Sequence, residues 1–127
     1  MIKGIGIDTV SISEMNRYME SFGDVFINRT FTEKEVAMSR SCPQPAEYLA
    51  TRFAAKEAVF KAIAHLTEHK GFDLRIVETL NEPDGFPVVQ MKGRLLALAD
   101  EAGVTAIHIA MTTEQDLATA FVVAESI

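Results

Sequence analysis

The sequence has no tryptophan, one cysteine and four prolines, and aromatic residues fill only 8% of its 127 positions. The lone Cys42 excludes an internal disulfide and a cysteine-based zinc cluster. A free thiol suits a reducing compartment, so a cytoplasmic location is expected. No apolar run approaches the roughly 18 residues that a membrane-spanning helix needs. The opening stretch MIKGIGIDTV has no basic segment followed by an apolar one, so no secretory leader is expected. Cations are also scarce: 12 Lys and Arg face 18 Asp and Glu, a net charge of −6. General nucleic-acid binding needs a cationic footprint and is not expected. The deficit is uneven, because residues 1–61 hold eight cations and eight acids while residues 62–127 hold four and ten. A basic patch in the first half stays open; a polybasic surface does not. There is no internal repeat and no low-complexity tract.

Hydrophobic residues make up 48% and charged residues 24%, enough for one ordinary core in a single domain spanning 1–127. IKGIGIDTV (2–10) has the alternation of a strand, and its glycines mark a close approach by another group. Ser11 and Glu14 offer a capping box, and Ile12, Met15, Met19 and Phe22 follow at helical spacing until Gly23 ends the helix. Thr32 and Glu35 form a second capping box, opening a short helix that CPQP breaks. A long helix is expected from about Ala46 to Leu66. DLRIVETL and PVVQMK read as strands around the turn NEPDGF. GRLLALADEAG is a helix closed by Gly103. AIHIAMTT and ATAFVVAES form a final strand pair around Glu114, Gln115 and Asp116. Helices early and antiparallel strands late give an α+β domain, with helices over one face of one sheet.

The stretch RFAAKEAVFKAI (52–63) carries the chemistry. Glu57 and Lys61 are four apart and share a helix face, with Lys56 one step round. An exposed ion pair is one reading. The other notes how few polar residues flank these charges, and that Asp8 ends a glycine-containing strand with no capping role to explain it. An Asp and a Glu can seat Mg²⁺, which takes one or two protein carboxylates and completes its shell with water and phosphate. A lysine one turn past the Glu can reach a phosphate oxygen. Asp8, Glu57 and Lys61 together suit phosphoryl-type transfer.

GIGIDTVSI, FINRTFTEKE and YLATRFAAKEAVFKAI, in that order and separation, resemble the holo-[acyl-carrier-protein] synthases, the small bacterial class of 4′-phosphopantetheinyl transferase. EPDGFPVV and IHIAMTTEQDLATAFVV extend the resemblance over nearly the whole chain. It implies transfer of phosphopantetheine from coenzyme A to a serine of an acyl carrier protein, with release of adenosine 3′,5′-bisphosphate. By position, Asp8 and Glu57 would hold Mg²⁺ and Lys61 would meet the diphosphate and assist the leaving group. Arg52, Phe53 and Lys56 would line or orient the coenzyme site. Gly85 and Pro87 would lie near the adenine end, and His108 would touch the coenzyme. The base for the carrier serine would be Glu57 or a metal-oriented water. The resemblance also implies a homotrimer with sites between subunits, its contacts covering the outer faces of the late strands. A non-catalytic relative, serving as a trimeric binding or assembly module, is the alternative.

Three departures from the family pattern stand out. A Gly-Thr-Gly-type turn is replaced by AIAHLTEHKGFD, which offers phosphate fewer free backbone N–H groups. The closing strand reads HIAMTT, with Ala110 and Thr113 in place of a serine and a second histidine. Ser13 and Glu14 stand where family members carry cations, leaving Arg17 as the cation of the first helix. A less acidic carrier, or weaker docking, follows.

Overall fold

The computed structural model describes residues 1–69 and 71–127. Its elements are β1 (Ile2–Ser11), α1 (Ile12–Thr30), α2 (Glu33–Arg40), α3 (Pro45–Ile63), β2 (Thr79–Asn81), β3 (Pro87–Val89), α4 (Gly93–Ala102), β4 (Ala106–Glu114) and β5 (Leu117–Glu125). Short 3₁₀ turns cover Ala64–Leu66 and Leu74–Ile76. Lys70, in the glycine-poor loop after α3, lies outside the described residues.

The α+β class and the antiparallel pairing hold, but the described residues form two sheets and not one. β1, β5 and β4 form an antiparallel sheet in that order, and β2 pairs with β3 in a separate ribbon. Only the last two residues of DLRIVETL, Thr79 and Leu80, enter β2, because Asp73 accepts a hydrogen bond from the Arg75 N–H and starts a 3₁₀ turn where a strand was expected. The tight β4–β5 turn centres on Gln115, which adopts a positive φ of 54°.

The glycines of β1 explain how the sheet meets the long helix. Gly4 and Gly6 face inward, and a Cβ on Gly6 would lie 1.9 Å from the Ala58 carbonyl oxygen. A Cβ on Gly4 would lie equally close to the Ala62 oxygen, at 1.9 Å. Backbone therefore packs on backbone, and only residues without a side chain fit. The helix reciprocates with Ala54, Ala55, Ala58 and Ala62, all completely buried. Around this seam Val59, Ile63, Val77, Leu95, Val104 and Val122 form the main core. Truncating a buried residue such as Ile63 to Ala costs about 2–5 kcal/mol in cores of this kind.

A second core holds α1 against the start of α3 through Met15, Phe31, Leu49 and Ala50. Ser11 caps α1 by accepting from the Glu14 N–H, as the spacing predicts. Asp116 from the β4–β5 turn takes the Ser13 N–H at 2.9 Å, so one free end of the helix is satisfied from across the fold. Gly23 ends the first helical segment of α1, as the spacing predicts: at φ 55°, ψ −137° its backbone is not helical, and a second segment follows the kink and runs to Thr30. Arg29 lies in the last turn of that second segment, apart from Arg17 in the first. The second capping box is complete, with Thr32 and Glu35 exchanging both bonds.

Candidate active site

Three charges meet where β1 crosses α3. Asp8 is carried out along β1 by the two glycines that let the strand lie against the helix, and α3 presents Glu57 and Lys61 one turn apart. The Lys61 ammonium donates to the Asp8 Oδ1 at 3.0 Å and to the Ile7 carbonyl oxygen at 3.0 Å. Lys61 is half exposed while Asp8 is largely covered, so this pair is partly screened by solvent and is not a buried lock. Burial first, and then the negative charge of Asp8, push the Glu57 carboxyl above the ordinary glutamate range, while Lys61 pulls it partly back. The Asp8 carboxylate thus opposes ionisation of Glu57, and a cation between the two would relieve that. No group of three or more His, Cys, Asp or Glu side chains converges among the described residues. The donor set therefore fits Mg²⁺, which needs few protein ligands, and not a zinc site built from protein alone.

A second feature lies at the other end of α3. A cavity of about 490 Å³ is lined by Cys42, Glu47, Tyr48, Arg52, Asn81 and Thr112 among others, and it includes Gly85 and Pro87. The structure thus brings Arg52, Gly85 and Pro87 into one lining. The Arg52 guanidinium is almost wholly buried, with Nη2 on Asn81 Oδ1 at 2.6 Å, Nη1 on Thr51 Oγ1 at 3.0 Å and Nε on the Thr79 carbonyl at 3.2 Å. Its flat face lies 4.0 Å from the centre of the Tyr48 ring. Burial raises the Tyr48 phenol above its ordinary value, and the Arg52 charge opposes that shift.

Lys56 does not line the site. Its side chain is completely buried and pairs with Glu35 Oε1 at 2.7 Å. It also donates to the carbonyl oxygens of Leu74, at 3.0 Å, and of Val77. Burial lowers its affinity for a proton, and the Glu35 carboxylate counters this. Glu35 is there because it closes the capping box of α2, and its other oxygen accepts from the Thr79 N–H at 3.2 Å. Lys56 and Glu35 thus join α2, α3 and the β2 ribbon. Next to them, Glu78 accepts from Thr32 and pairs with Lys92 at 3.2 Å. Burial alone would raise Glu78, yet these partners hold its pKa below the ordinary value.

Phe53 is half buried in the second core, against α1. His108 lies apart from both features. It projects from the outer face of β4 and pairs with Glu125 Oε1 at 2.6 Å, outside the lining of the cavity. Glu47, Tyr48, Thr51, Asn81 and Thr112 were not foreseen as lining residues. Glu47, Tyr48, Thr51 and Arg52 fall at i, i+1, i+4 and i+5 on one side of α3, so their polar spacing was the available signal.

Two carboxylates and an amine at one end of a helix, with a separate cavity at the other end, are a set of groups suited to phosphoryl chemistry. The chain's residues 4–122 match the model of the 4'-phosphopantetheinyl transferase superfamily, and the chain is a member of that family. It is 38% identical over 123 residues to the holo-[acyl-carrier-protein] synthase of Thermodesulfovibrio yellowstonii, covering 97% of this chain and 98% of that protein. The crystal structure of holo-[acyl-carrier-protein] synthase from Neisseria meningitidis superposes with a TM-score of 0.88 at 36% identity, covering 99% of this chain and 100% of that one. The holo-(acyl-carrier-protein) synthase from Bacillus anthracis, solved in complex with CoA (3',5'-ADP), is similar at 27% identity and a TM-score of 0.77, covering 100% and 99%.

Proposed function

We propose that this chain transfers the 4′-phosphopantetheine group of coenzyme A to a serine hydroxyl of an apo acyl carrier protein, releasing adenosine 3′,5′-bisphosphate. The observation that carries the reading is the meeting of Lys61, Asp8 and Glu57 at the β1–α3 crossing. Asp8 and Glu57 would hold Mg²⁺, whose chemistry is to neutralise charge on a diphosphate. The serine oxygen attacks the phosphorus on the pantetheine side. The bond from that phosphorus to the bridging oxygen breaks, and the bridging oxygen leaves with the electron pair. Lys61 is suited to oppose the charge growing on that oxygen, because its present partners are on the surface and can be exchanged. Glu57, already biased toward binding a proton, is the chain's own group to take the serine proton.

The site is completed by a second copy. Five residues at about 100° each put Arg52 and Glu57 roughly 140° apart around α3. None of Asp8, Glu57 and Lys61 lines the cavity that holds Arg52. A donor reaching both is best served across a subunit boundary. The outer sheet face supports such an assembly, since Ile5, Ile7, Leu117 and Phe121 lie exposed there, with no helix over them. A trimer that buries this face is the arrangement we favour. The acceptor is a carrier with a modestly acidic face, because Arg17 already shares its charge with Glu14 at 3.6 Å.

The test is incubation with Mg²⁺, coenzyme A and a panel of apo carrier proteins, read by intact-protein mass. One phosphopantetheine gained on a carrier, and none with Glu57→Gln, is the expected result. No gain on any carrier, with no binding of coenzyme A, would point to the assembly module instead.

A further inference from the structure

We propose that Lys61 closes the metal seat against its own cation: the ammonium holds Asp8 Oδ1 until the diphosphate of the donor draws it away, so that donor binding opens the seat. This rests on the reading that Asp8 and Glu57 receive Mg²⁺ and that Lys61 receives the diphosphate. The two residues in contact belong to one chain, on β1 and α3, so the contact forms within a single subunit.

Glu57, one helical turn before Lys61, stands in the favourable position for an ion pair along the helix. The ammonium reaches across to β1 instead, and donates to Asp8 Oδ1 and to the Ile7 carbonyl oxygen at 3.0 Å each. Mg²⁺ sits about 2.0–2.1 Å from a carboxylate oxygen. On Oδ1 it would therefore stand within about 5 Å of an ammonium that is itself 3.0 Å from that oxygen. Like charges so close, away from bulk water, repel strongly. Ammonium and metal thus compete for Asp8. Lys61 is able to yield, because its side chain is half exposed and its four-carbon stem is flexible. A diphosphate oxygen offers it a charge-assisted bond in exchange for the one it gives up. Whatever factor the donor adds to metal affinity, the metal adds to donor affinity.

The experiment uses Mn²⁺, which takes the same oxygen ligands, as the probe. Its binding to the intact protein is read from the loss of the free-ion EPR signal, with and without coenzyme A, after subtracting what coenzyme A binds alone. Wild type should bind Mn²⁺ about tenfold or more tightly once coenzyme A is present. Without coenzyme A, Lys61→Met should bind Mn²⁺ about fivefold or more tightly than wild type, and the gain from coenzyme A should shrink by a similar factor. A metal–diphosphate contact acting alone gives the opposite pattern. The variant would then bind Mn²⁺ as wild type does, and the gain would grow, because a cation beside the metal has left the ternary complex. An unchanged affinity in Lys61→Met, or a larger gain from coenzyme A, overturns the inference and leaves the transferase reading intact. Glu57→Gln should weaken Mn²⁺ binding under both conditions. Equal binding by Glu57→Gln and wild type, or no binding by any of the three proteins, removes the inference together with the metal reading beneath it.

Discussion

Replacing Gly6 by alanine tests the link between packing and chemistry most directly. The new Cβ would lie 1.9 Å from the Ala58 carbonyl oxygen, about 1.5 Å short of the 3.4 Å at which ordinary contact begins. The obstacle is helix backbone, so no rotamer change relieves it, and β1 must lift from α3. Overpacking of this kind costs about 3 kcal/mol, the upper part of its usual range. With an m value near 1.5 kcal/mol per molar, the urea midpoint should fall by about 2 M at fixed protein concentration. Asp8 lies two residues on along the same strand, so lifting β1 also stretches its 3.0 Å contact with Lys61. Turnover should therefore fall even at urea-free conditions where the variant is folded. Gly71→Ala is the control, because nothing lies within 4 Å of the added Cβ and its backbone is not left-handed. It should be neutral or slightly stabilising, by about 0.4–1 kcal/mol. A Gly6→Ala variant with a wild-type midpoint and full turnover would refute the backbone-on-backbone account of this seam.

Lys56→Met should cost about 3–5 kcal/mol, since it strands the buried Glu35 carboxylate without its partner. Adding Glu35→Leu should restore part of that loss, as seen by chemical denaturation of the single and double variants. The pKa of Glu57 is raised in the fold, so the native state binds its proton more tightly than the unfolded chain does. Stability from this group therefore declines as pH rises from its ordinary value of 4.5 through the folded value, and Glu57→Gln should flatten that slope in a pH series of melting curves. Mg²⁺ should flatten it too, and transfer activity should fall as pH drops through the same window. Phe121→Lys, at an exposed position of the outer sheet face, should yield monomers by light scattering and abolish transfer without unfolding the chain.

Much of the local structure was legible because it rests on short-range rules. The Thr32–Glu35 box, Gly103 closing α4 and the turn at Gln115 each follow from residues within a few positions. Gly23 closes the first segment of α1 by the same kind of rule, but the second segment beyond the kink had no such signal, and there Phe26 packs back on Tyr18, whose ring centre lies 5.7 Å from that of Phe26 and 6.1 Å from that of Phe22. Lys56 shows a different limit. Its place next to Glu57 suggested an active-site cation, yet one step of about 100° turns it from the β1 side toward Glu35 and the β2 ribbon. Only the path of α2 decides which side is solvent. The partner of a buried charge, 21 positions away for Glu35, has no local signal. His108 was expected at the coenzyme and instead pairs with Glu125, a contact set by the register between β4 and β5 that no local signal reveals.

On the proposed function, helix α3 would serve two half-sites, and its geometry makes a prediction about mixed assemblies. One side carries Glu57 and Lys61 toward β1; another carries Arg52 toward the cavity that Thr112 also lines. If one donor bridges these halves between neighbouring copies, each site takes its carboxylates from one subunit and its cavity from the next. Glu57→Gln destroys the first half alone, and Thr112→Trp fills the second. Each variant by itself should be inactive. In trimers reassembled from equal amounts, a site works when its carboxylate half comes from the Trp variant and its cavity half from the Gln variant. Chance meets both conditions in about a quarter of sites of a head-to-tail ring, so about a quarter of wild-type activity should return. A site contained within one chain would recover none, because every chain carries a defect. Mixing followed by complete loss of activity would therefore place the whole reaction inside a single subunit and remove the need for the outer-face assembly.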